Sequence, residues 1–453
     1  MSHIAVIDIG KTNAKLALVN SVGLHEIAVI TQPNHVVDSP PWPHFDLAGI
    51  WVFIQNGLAQ FQKQYGIDAI SVTTHGASIV LIGQNGEAFP MLDYEYSAVN
   101  SLSDNYAQLR ADFSQTGSPH LPNGLNIGAQ LHWMLTTDPI IRRHLASIVT
   151  YPQYWGYLLT GERASDFTSL GCHSDLWNPY ARDFATTLDA LGLRSCFAPV
   201  RRPDEILGEV KPALAQKLGL PAHLPVMVGI HDSNASLYPH LLSQSGSFSV
   251  VSSGTWTIAM AINGSKLALD PDRDSLINVN ALGHPVPTAR FMGGREFDLI
   301  QKGRIYAPTK SDEQSVLEKG IFLLPAIEAA TGPFQGRVTA WSVTKRSAGE
   351  ESMALSFYLA LMTRTCLDLI GARGPVIVEG PFANNDEYLR MLSALSPDGL
   401  LTSVSHTGTS IGAAMLCLPQ HKQAATARTY ACKDEPALQA YGAAWRLAVE
   451  SGL

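Results

Sequence analysis

Asp8-Ile9-Gly10-Lys11-Thr12-Asn13 is the stretch that most restricts what this chain can become. The apolar segment Ile4-Ala5-Val6-Ile7 runs ahead of it, and Ala14, Leu16, Ala17, Leu18 and Val19 come after it. A strand therefore carries a carboxylate to its end, a tight turn follows, and a second strand leaves. Gly10 lets backbone N–H groups come close to a ligand. Thr12 and Asn13 add neutral donors, and Lys11 adds charge. An acid able to hold hydrated Mg²⁺ beside donors for phosphate oxygens is what a nucleoside triphosphate needs. The same residues also describe an ordinary β-hairpin with an aspartate in its turn, and the hexapeptide alone does not choose.

At 453 residues the chain is too long for one ordinary core, and two large domains are a natural division. With 46% hydrophobic and 15% charged residues it reads as globular rather than disordered. A formal net charge of -8 argues against a nucleic-acid or anionic-membrane partner, yet allows a small anionic ligand at a local site. Cys172, Cys196, Cys366, Cys417 and Cys432 are scattered, without a Cys-x-x-Cys pair or a Cys/His cluster. That pattern predicts neither a disulfide framework nor a zinc site, and reduced thiols in a cytoplasm fit it best. The N-terminal residues lead straight into a strand, so no secretory signal is expected. The most apolar helical stretch, Met353 to Gly371, contains Arg364 and Asp368 and reads as a helix buried between layers.

Strand and helix signals alternate through the first half. Ile4–Asp8, Ala14–Asn20 and Glu26–Thr31 read as strands, Asp46–Tyr65 as a helix with Leu47, Ile50, Trp51, Ile54, Leu58 and Phe61 on one stripe, and Ala69–Thr74 as a buried strand. Ser78–Gly83 reads as a strand, and helices are expected over Ser97–Asp112, Gly128–Leu135 and Ile140–Leu145. Val226–Ile230 reads as one strand running into His231-Asp232. The second half opens like the first: a strand over Gly246–Ser252, a Gly254-Thr255 turn and a returning strand over Trp256–Ile262. Val376–Val378 then ends at Glu379-Gly380, the helix Asn385–Leu395 comes next, and Ser410–Leu418 reads as a small-residue helix. This predicts an internally duplicated α/β protein with domains 1–240 and 241–453.

Four further turns carry candidate chemistry. Asp232, after a buried strand, can accept a proton from a substrate hydroxyl as its oxygen attacks phosphorus, or it can cap the next helix. Ser252-Ser253-Gly254-Thr255-Trp256 offers backbone N–H groups and a hydroxyl to a phosphate, or is a plain hairpin turn. In Thr73-Thr74-His75-Gly76-Ala77, His75 is a sugar-hydroxyl ligand or a satisfied core histidine. Glu379-Gly380-Pro381-Phe382-Ala383-Asn384 is a wall for an adenine ring or an unremarkable strand–helix loop.

The order of these turns resembles the FGGY carbohydrate kinases of the actin-like/hexokinase-like ATPase superfamily. The likeness runs over nearly the whole chain and is strongest to the deoxy-ketose branch, the L-fuculose and L-rhamnulose kinases. Tyr151 to Gly161, ending Leu159-Thr160-Gly161, and Ser252 to Trp256 also look like that branch. The resemblance implies two duplicated ribonuclease H-like ATPase domains with a cleft between them. It implies that Asp8 holds Mg²⁺, that Gly10, Lys11, Thr12 and Asn13 contact ATP phosphates, and that Gly254 and Thr255 contact them from the other domain. Asp232 becomes the catalytic base. His75, Gly76, His231, Asp232 and Ser233 line the sugar site, and Gly380, Pro381 and Asn384 border adenine.

Two departures stand out. Pro381 stands in what is usually a run of glycines, which puts nucleotide preference in question. His75 stands where relatives carry other residues, so the sugar is not to be copied from a relative. Asp93, Tyr94 and Glu95 reach the sugar or form a solvated acidic loop. The resulting expectation is an ATP- and Mg²⁺-dependent kinase phosphorylating a primary hydroxyl of a ketose, cytoplasmic, monomeric or homodimeric. It would have no nucleic-acid or membrane partner. Its rivals are a sugar-binding regulator that kept the fold without the chemistry, and an ATP-driven chaperone or filament subunit.

Overall fold

The computed structural model describes residues 2–304, 306–403, 408–418, 427–431 and 435–452; Cys432 lies outside them. Two compact units result, one of Met1–Ser243, Ile277–Pro285 and Thr407–Gln423, the other of Gln244–Leu276, Val286–His406 and Ala424–Leu453. The expected division at 240/241 is thus crossed twice. The physical reason for the second crossing is visible in the helix Gly408–Met415. Gly412 meets Ala235 so closely that a Cβ there would lie 1.8 Å from the Ala235 carbonyl oxygen.

In the first unit, β1 (His3–Ile9), β2 (Asn13–Asn20) and β3 (His25–Pro33) form an antiparallel meander. Helix α1 (Leu47–Tyr65) starts at Asp46, whose carboxylate accepts from Gly49 N–H at 2.8 Å. It buries Ile50, Ile54, Leu58 and Phe61 at helical spacing. Gly57 lets it settle on Leu16 and Ile30, which a Cβ would strike at 2.6 and 2.5 Å. The chain then adds β4 (Ala69–Thr74), α2 (Tyr151–Thr160), β5 (Ile206–Glu209), β6 (Pro225–Met227), β7 (Ile230–His231) and α3 (Asp232–Ser243). The sheet runs β5-β6-β4-β1-β2-β3, with β7 also on β4. Both faces are covered, so alternate residues of β1 enter two different cores. Ala5, Ile7 and Ile9 join Ile54, Leu58 and Trp155, while Ile4 and Val6 join Ile230, Ala235, Tyr238 and Met415.

The second set of elements comprises β8 (Phe248–Ser253), β9 (Thr257–Ile262), β10 (Ser275–Val279), β11 (Pro285–Phe291), α4 (Ala348–Leu369), β12 (Val376–Glu379), α5 (Asp386–Ala394), β13 (Leu400–Ser403), β14 (Ala427–Tyr430) and α6 (Pro436–Ser451). Its sheet runs β10-β11-β9-β8-β12-β13-β14. Strand for strand, β11-β9-β8-β12-β13-β14 repeats β3-β2-β1-β4-β6-β5. In both, the hairpin is antiparallel, its first strand pairs parallel with the next, and the last pair is antiparallel. The duplication is therefore one of strand order and direction, with one exchange of connectivity: the outer strand β5 precedes its neighbour β6 in the chain, whereas the outer strand β14 follows β13. Helix α4 opens with a capping box between Ser347 and Glu350 and buries nearly its whole length beside Val251, Phe291 and Trp445. Among the described residues, no helix is long and apolar enough to cross a membrane.

Two local expectations fail for identifiable reasons. Ser97–Asp112 is not one helix but a 3₁₀ turn, Ser97–Leu102, and a short helix, Ser103–Ala107. Its polar side chains bind elsewhere: Asn100 accepts from Asn123 N–H at 2.7 Å, and Ser103 meets His120 at 3.0 Å. Val226–Ile230 is not one strand, because Gly229 breaks it at φ 93°. The side-chain amide of Gln153 donates to the Val228 and Gly229 carbonyls at 2.9 and 3.2 Å. A Cβ on Gly229 would lie 2.6 Å from the Val72 carbonyl oxygen. Gly229→Ala should therefore lower stability by about 2 kcal/mol. Gly219→Ala, at φ 68° with open space around it, should cost about 1 kcal/mol. Urea unfolding of the two variants separates collision from backbone strain.

Candidate active site

β1, β4 and β7 are parallel and level with one another. Asp8 sits opposite Thr73 and Ile9 opposite Thr74, while Ile230 and His231 take the same two partners from the other side. The three segments that leave these strands must therefore turn off the sheet at one edge. They are the Gly10 turn, His75-Gly76 and Asp232. Carboxyl ends of parallel strands are where such sheets bind ligands.

Asp8 is partly buried and faces Lys15, its partner across the hairpin. The Lys15 ammonium lies 3.3 Å from Asp8 Oδ2 and 3.2 Å from Glu26, and the Ser410 hydroxyl lies 3.3 Å from the same Asp8 oxygen. Burial pushes the Asp8 carboxyl above its ordinary range, Lys15 opposes this, and the negative charge of Asp232 pushes it further. Two carboxylates that feel each other's charge suit a divalent cation. Among the described residues no three His, Cys, Asp or Glu side chains gather as a protein cage. Mg²⁺ needs none, since it binds through one or two carboxylates plus water and phosphate oxygens, so Asp8 fits it.

The Gly10 turn is shaped by its own hydrogen bonds. Gly10 N–H donates to the Asn13 carbonyl at 2.8 Å, and Asn34 grips the Thr12 and Gly10 carbonyls through its backbone and side-chain N–H groups at 2.9 and 2.8 Å. The amide of Gly10 is therefore already committed within the turn. The side chains of Thr12 and Asn13 are exposed. Lys11 turns the other way: its ammonium pairs with Asp93, lies 3.5 Å from Glu95, and sits 4.5 and 4.8 Å from the Tyr94 and Phe45 ring centres.

Asp232 is the first residue of α3, where the helix dipole favours a negative charge. Its carboxylate accepts from Ser233 N–H at 2.6 Å and lies 3.1 Å from His231 Nε2. Thr168 accepts from His231 N–H at 3.0 Å and is itself bound to buried Asp166. Burial opposes protonation of His231, but the negative charges of Cys172, Asp232 and Asp166 outweigh it and bring its pKa to about 9. Burial likewise opposes the Cys172 thiolate, but His173 and His231 pull that thiol well below its ordinary value. Gly76 is a glycine because these groups crowd it: a Cβ would stand 2.7 Å from His231 Nε2 and 3.3 Å from Cys172 Sγ.

His75 lies among the rings of Phe45, Tyr94 and Tyr151, with centroids 5.1 to 5.6 Å away. Burial pulls its pKa down to about 4, so it is neutral. Its Nδ1 lies 2.9 Å from the Gly76 carbonyl, which can only accept, so the proton is on Nδ1 and Nε2 keeps a lone pair. That Nε2 is buried and has no partner among the described residues.

In the second unit, Ser253 joins two turns. Its hydroxyl donates to the Glu379 carbonyl at 2.6 Å and accepts from Phe382 N–H at 3.0 Å. Gly254-Thr255 and Gly380-Pro381 therefore emerge side by side, from β8 and β12, which pair Ser252 with Glu379. Gly380 has φ 81°, and a Cβ there would lie 2.0 Å from the Ser253 carbonyl oxygen. Gly254 and Thr255 are exposed, as are Pro381 and Asn384, while Asn385 is spent capping α5 through Tyr388 N–H at 2.9 Å.

Residues 3–238 match the FGGY family of carbohydrate kinases, N-terminal domain, and residues 245–427 match Carbohydrate kinase FGGY, C-terminal domain. The chain belongs to the FGGY family of carbohydrate kinases. A carbohydrate kinase from Novosphingobium aromaticivorans is 33% identical, with a TM-score of 0.91 over 98% of this chain and 100% of that one. L-fuculokinase from Haemophilus influenzae is 27% identical over 285 residues. That match takes in 58% of this chain and spans 58% of the L-fuculokinase. Glycerol kinase from Plasmodium falciparum, solved with ADP, shares the fold at a TM-score of 0.80 and 14% identity, covering 100% of this chain and 98% of that one. The repeated strand order is the duplicated, actin-like ATPase architecture of this family.

Within this FGGY chain, the first unit brings Asp8, Gly10, Lys11, His75, Gly76, His231, Asp232 and Ser233 to one strand edge. The second brings Gly254, Thr255, Gly380, Pro381 and Asn384 together. Lys15, Thr168 and Asp166 carry no assignment from the sequence, while Cys172, Ser410 and Ser253 are read there only as a scattered cysteine, a helix start and part of the Ser252–Trp256 turn. Lys15 alone had a local signal, since a hairpin pairing Ile9 with Ala14 must pair Asp8 with Lys15. The two buried imidazoles should titrate far apart, His75 near 4 and His231 near 9. Cys172→Ser removes a negative neighbour and should lower the His231 value. Histidine-labelled NMR spectra, assigned with His75→Gln and His231→Gln, check both.

Proposed function

We propose that this protein is an ATP-dependent sugar kinase that phosphorylates a primary hydroxyl of a ketose resembling L-fuculose or L-rhamnulose. The observation that carries the reading is the Asp232 carboxylate. It is held at a helix start by Ser233 N–H and His231, at the same strand edge as Asp8. A carboxylate so held can accept the hydroxyl proton as the oxygen attacks the γ-phosphorus.

His231, whose Nε2 lies 3.1 Å from Asp232 Oδ1, pairs with that carboxylate and keeps it oriented. Asp8 would hold Mg²⁺, which when bound neutralises charge spreading over the transferred phosphoryl oxygens. Thr12 and Asn13 in the first unit and Thr255 in the second are exposed at glycine turns and are assigned to phosphate oxygens. Gly380, Pro381 and Asn384 are assigned to the adenine. The family membership supports ATP as donor, and the glycerol kinase relative carries ADP. The L-fuculokinase relative favours a deoxy-ketose acceptor. The working compartment we assign is the cytoplasm.

Asp232→Asn keeps the shape and removes the base. With the best ketose, its kcat should fall by roughly 10²- to 10⁴-fold while sugar and nucleotide Kd stay within about threefold. A coupled ADP assay with calorimetry reads both. Parental turnover in the variant would remove Asp232 from the base role. Sugar binding with no ADP formed by the parent protein would instead make it a sugar-binding regulator.

A further inference from the structure

Lys11 lies in the turn expected to hold phosphates, but its side chain is not left there. Its ammonium lies over the rings of Phe45 and Tyr94, 4.8 and 4.5 Å from their centroids. The charge is paired with Asp93, whose side chain is 12% exposed, and lies 3.5 Å from Glu95. Drawing Lys11 toward a phosphate would strand a largely buried Asp93 carboxylate and strip two aromatic faces, a costly exchange. The cation next to Asp8 is already supplied by Lys15.

The rings that clamp Lys11 are the rings around His75. Phe45 and Tyr94 lie 5.2 and 5.6 Å from the His75 ring, and the charges of Lys11, His231 and Asp232 are all felt there. This cluster thus presents a buried acceptor, His75 Nε2, that lacks a donor, and an ammonium with N–H groups beyond the one given to Asp93. A hydroxyl donating to His75 and a neighbouring hydroxyl oxygen accepting from Lys11 would satisfy both. Two carboxylates stand against one ammonium, so the local charge disfavours an acidic sugar.

We propose that Lys11 is a specificity-determining residue of the acceptor site: braced by Asp93, it donates to a hydroxyl of a neutral polyhydroxy sugar and does not hold ATP phosphate. This rests on the sugar-kinase reading for the identity of the pocket's occupant. The test is calorimetry on the full chain, each ligand alone, with a panel of ketoses, alditols and gluconate on one side and ATP on the other. Lys11→Met should weaken the best neutral sugar by about 10- to 100-fold, change ATP Kd by less than about threefold, and alter the ranking of hydroxyl epimers. Asp93→Asn, which keeps the volume and loosens the brace, should weaken the sugar by about 3- to 10-fold and leave ATP unchanged. Thermal unfolding verifies that both variants are folded. Weakened ATP with intact sugar binding overturns the proposal, as does no change in either ligand, or gluconate binding the parent more tightly than every neutral sugar. If the parent binds a ketose but transfers no phosphoryl group, the kinase reading falls while the isotherms still decide the side on which Lys11 acts. If the parent binds no sugar, both fall.

Discussion

Level, parallel pairing of β1, β4 and β7 is the constraint on which the rest depends. It places Asp8, Thr73 and Ile230 in one row, so three chain segments widely separated in sequence turn off the sheet together. Everything chemical in the first unit hangs from that edge. The row is held from both faces, because alternate residues of β1 enter two separate cores. A slip of one residue would exchange those faces and scatter the carboxylates.

Close packing at that edge does the electrostatic work. Gly76 allows His231 and Cys172 to approach the backbone, and His231 in turn reaches Asp232. Gly229 allows the chain to pass Val72 on its way to His231. The result is a basic imidazole, His231, beside the Asp232 carboxylate, and a neutral imidazole, His75, whose Nε2 has no partner among the described residues. Two histidines are thus driven in opposite directions by their neighbours, one by nearby negative charge and one by burial.

Much of this was legible in the chain. The strand–Asp–Gly turn, its echo at Gly254 and the Asp232 turn were readable because apolar strands bounded by glycine leave a local signature. Their reasons were less so. Gly10 and Gly254 looked like glycines freeing amides for a ligand, yet both amides are spent inside their own turns, on Asn13 and Trp256. The break at Gly229 depends on Gln153, 76 residues away, which no local propensity registers. Ser410 reaches Asp8 across 402 residues, and Cys172 reaches His231 only through the fold. Lys11 looked like a phosphate ligand because charge next to a glycine turn invites that assignment. Its direction was settled by Phe45, Asp93 and Tyr94, which lie far along the chain.

The central claim is that the edge built on Asp8 and Asp232 moves a phosphoryl group onto a sugar hydroxyl. Proton-coupled ³¹P NMR of a reaction containing the protein, ATP, Mg²⁺ and a ketose panel tests it most directly. The account predicts a new phosphomonoester signal coupled to two methylene protons, growing in step with ADP. ADP appearing with inorganic phosphate alone, or a phosphate attached to a secondary carbon, would contradict it.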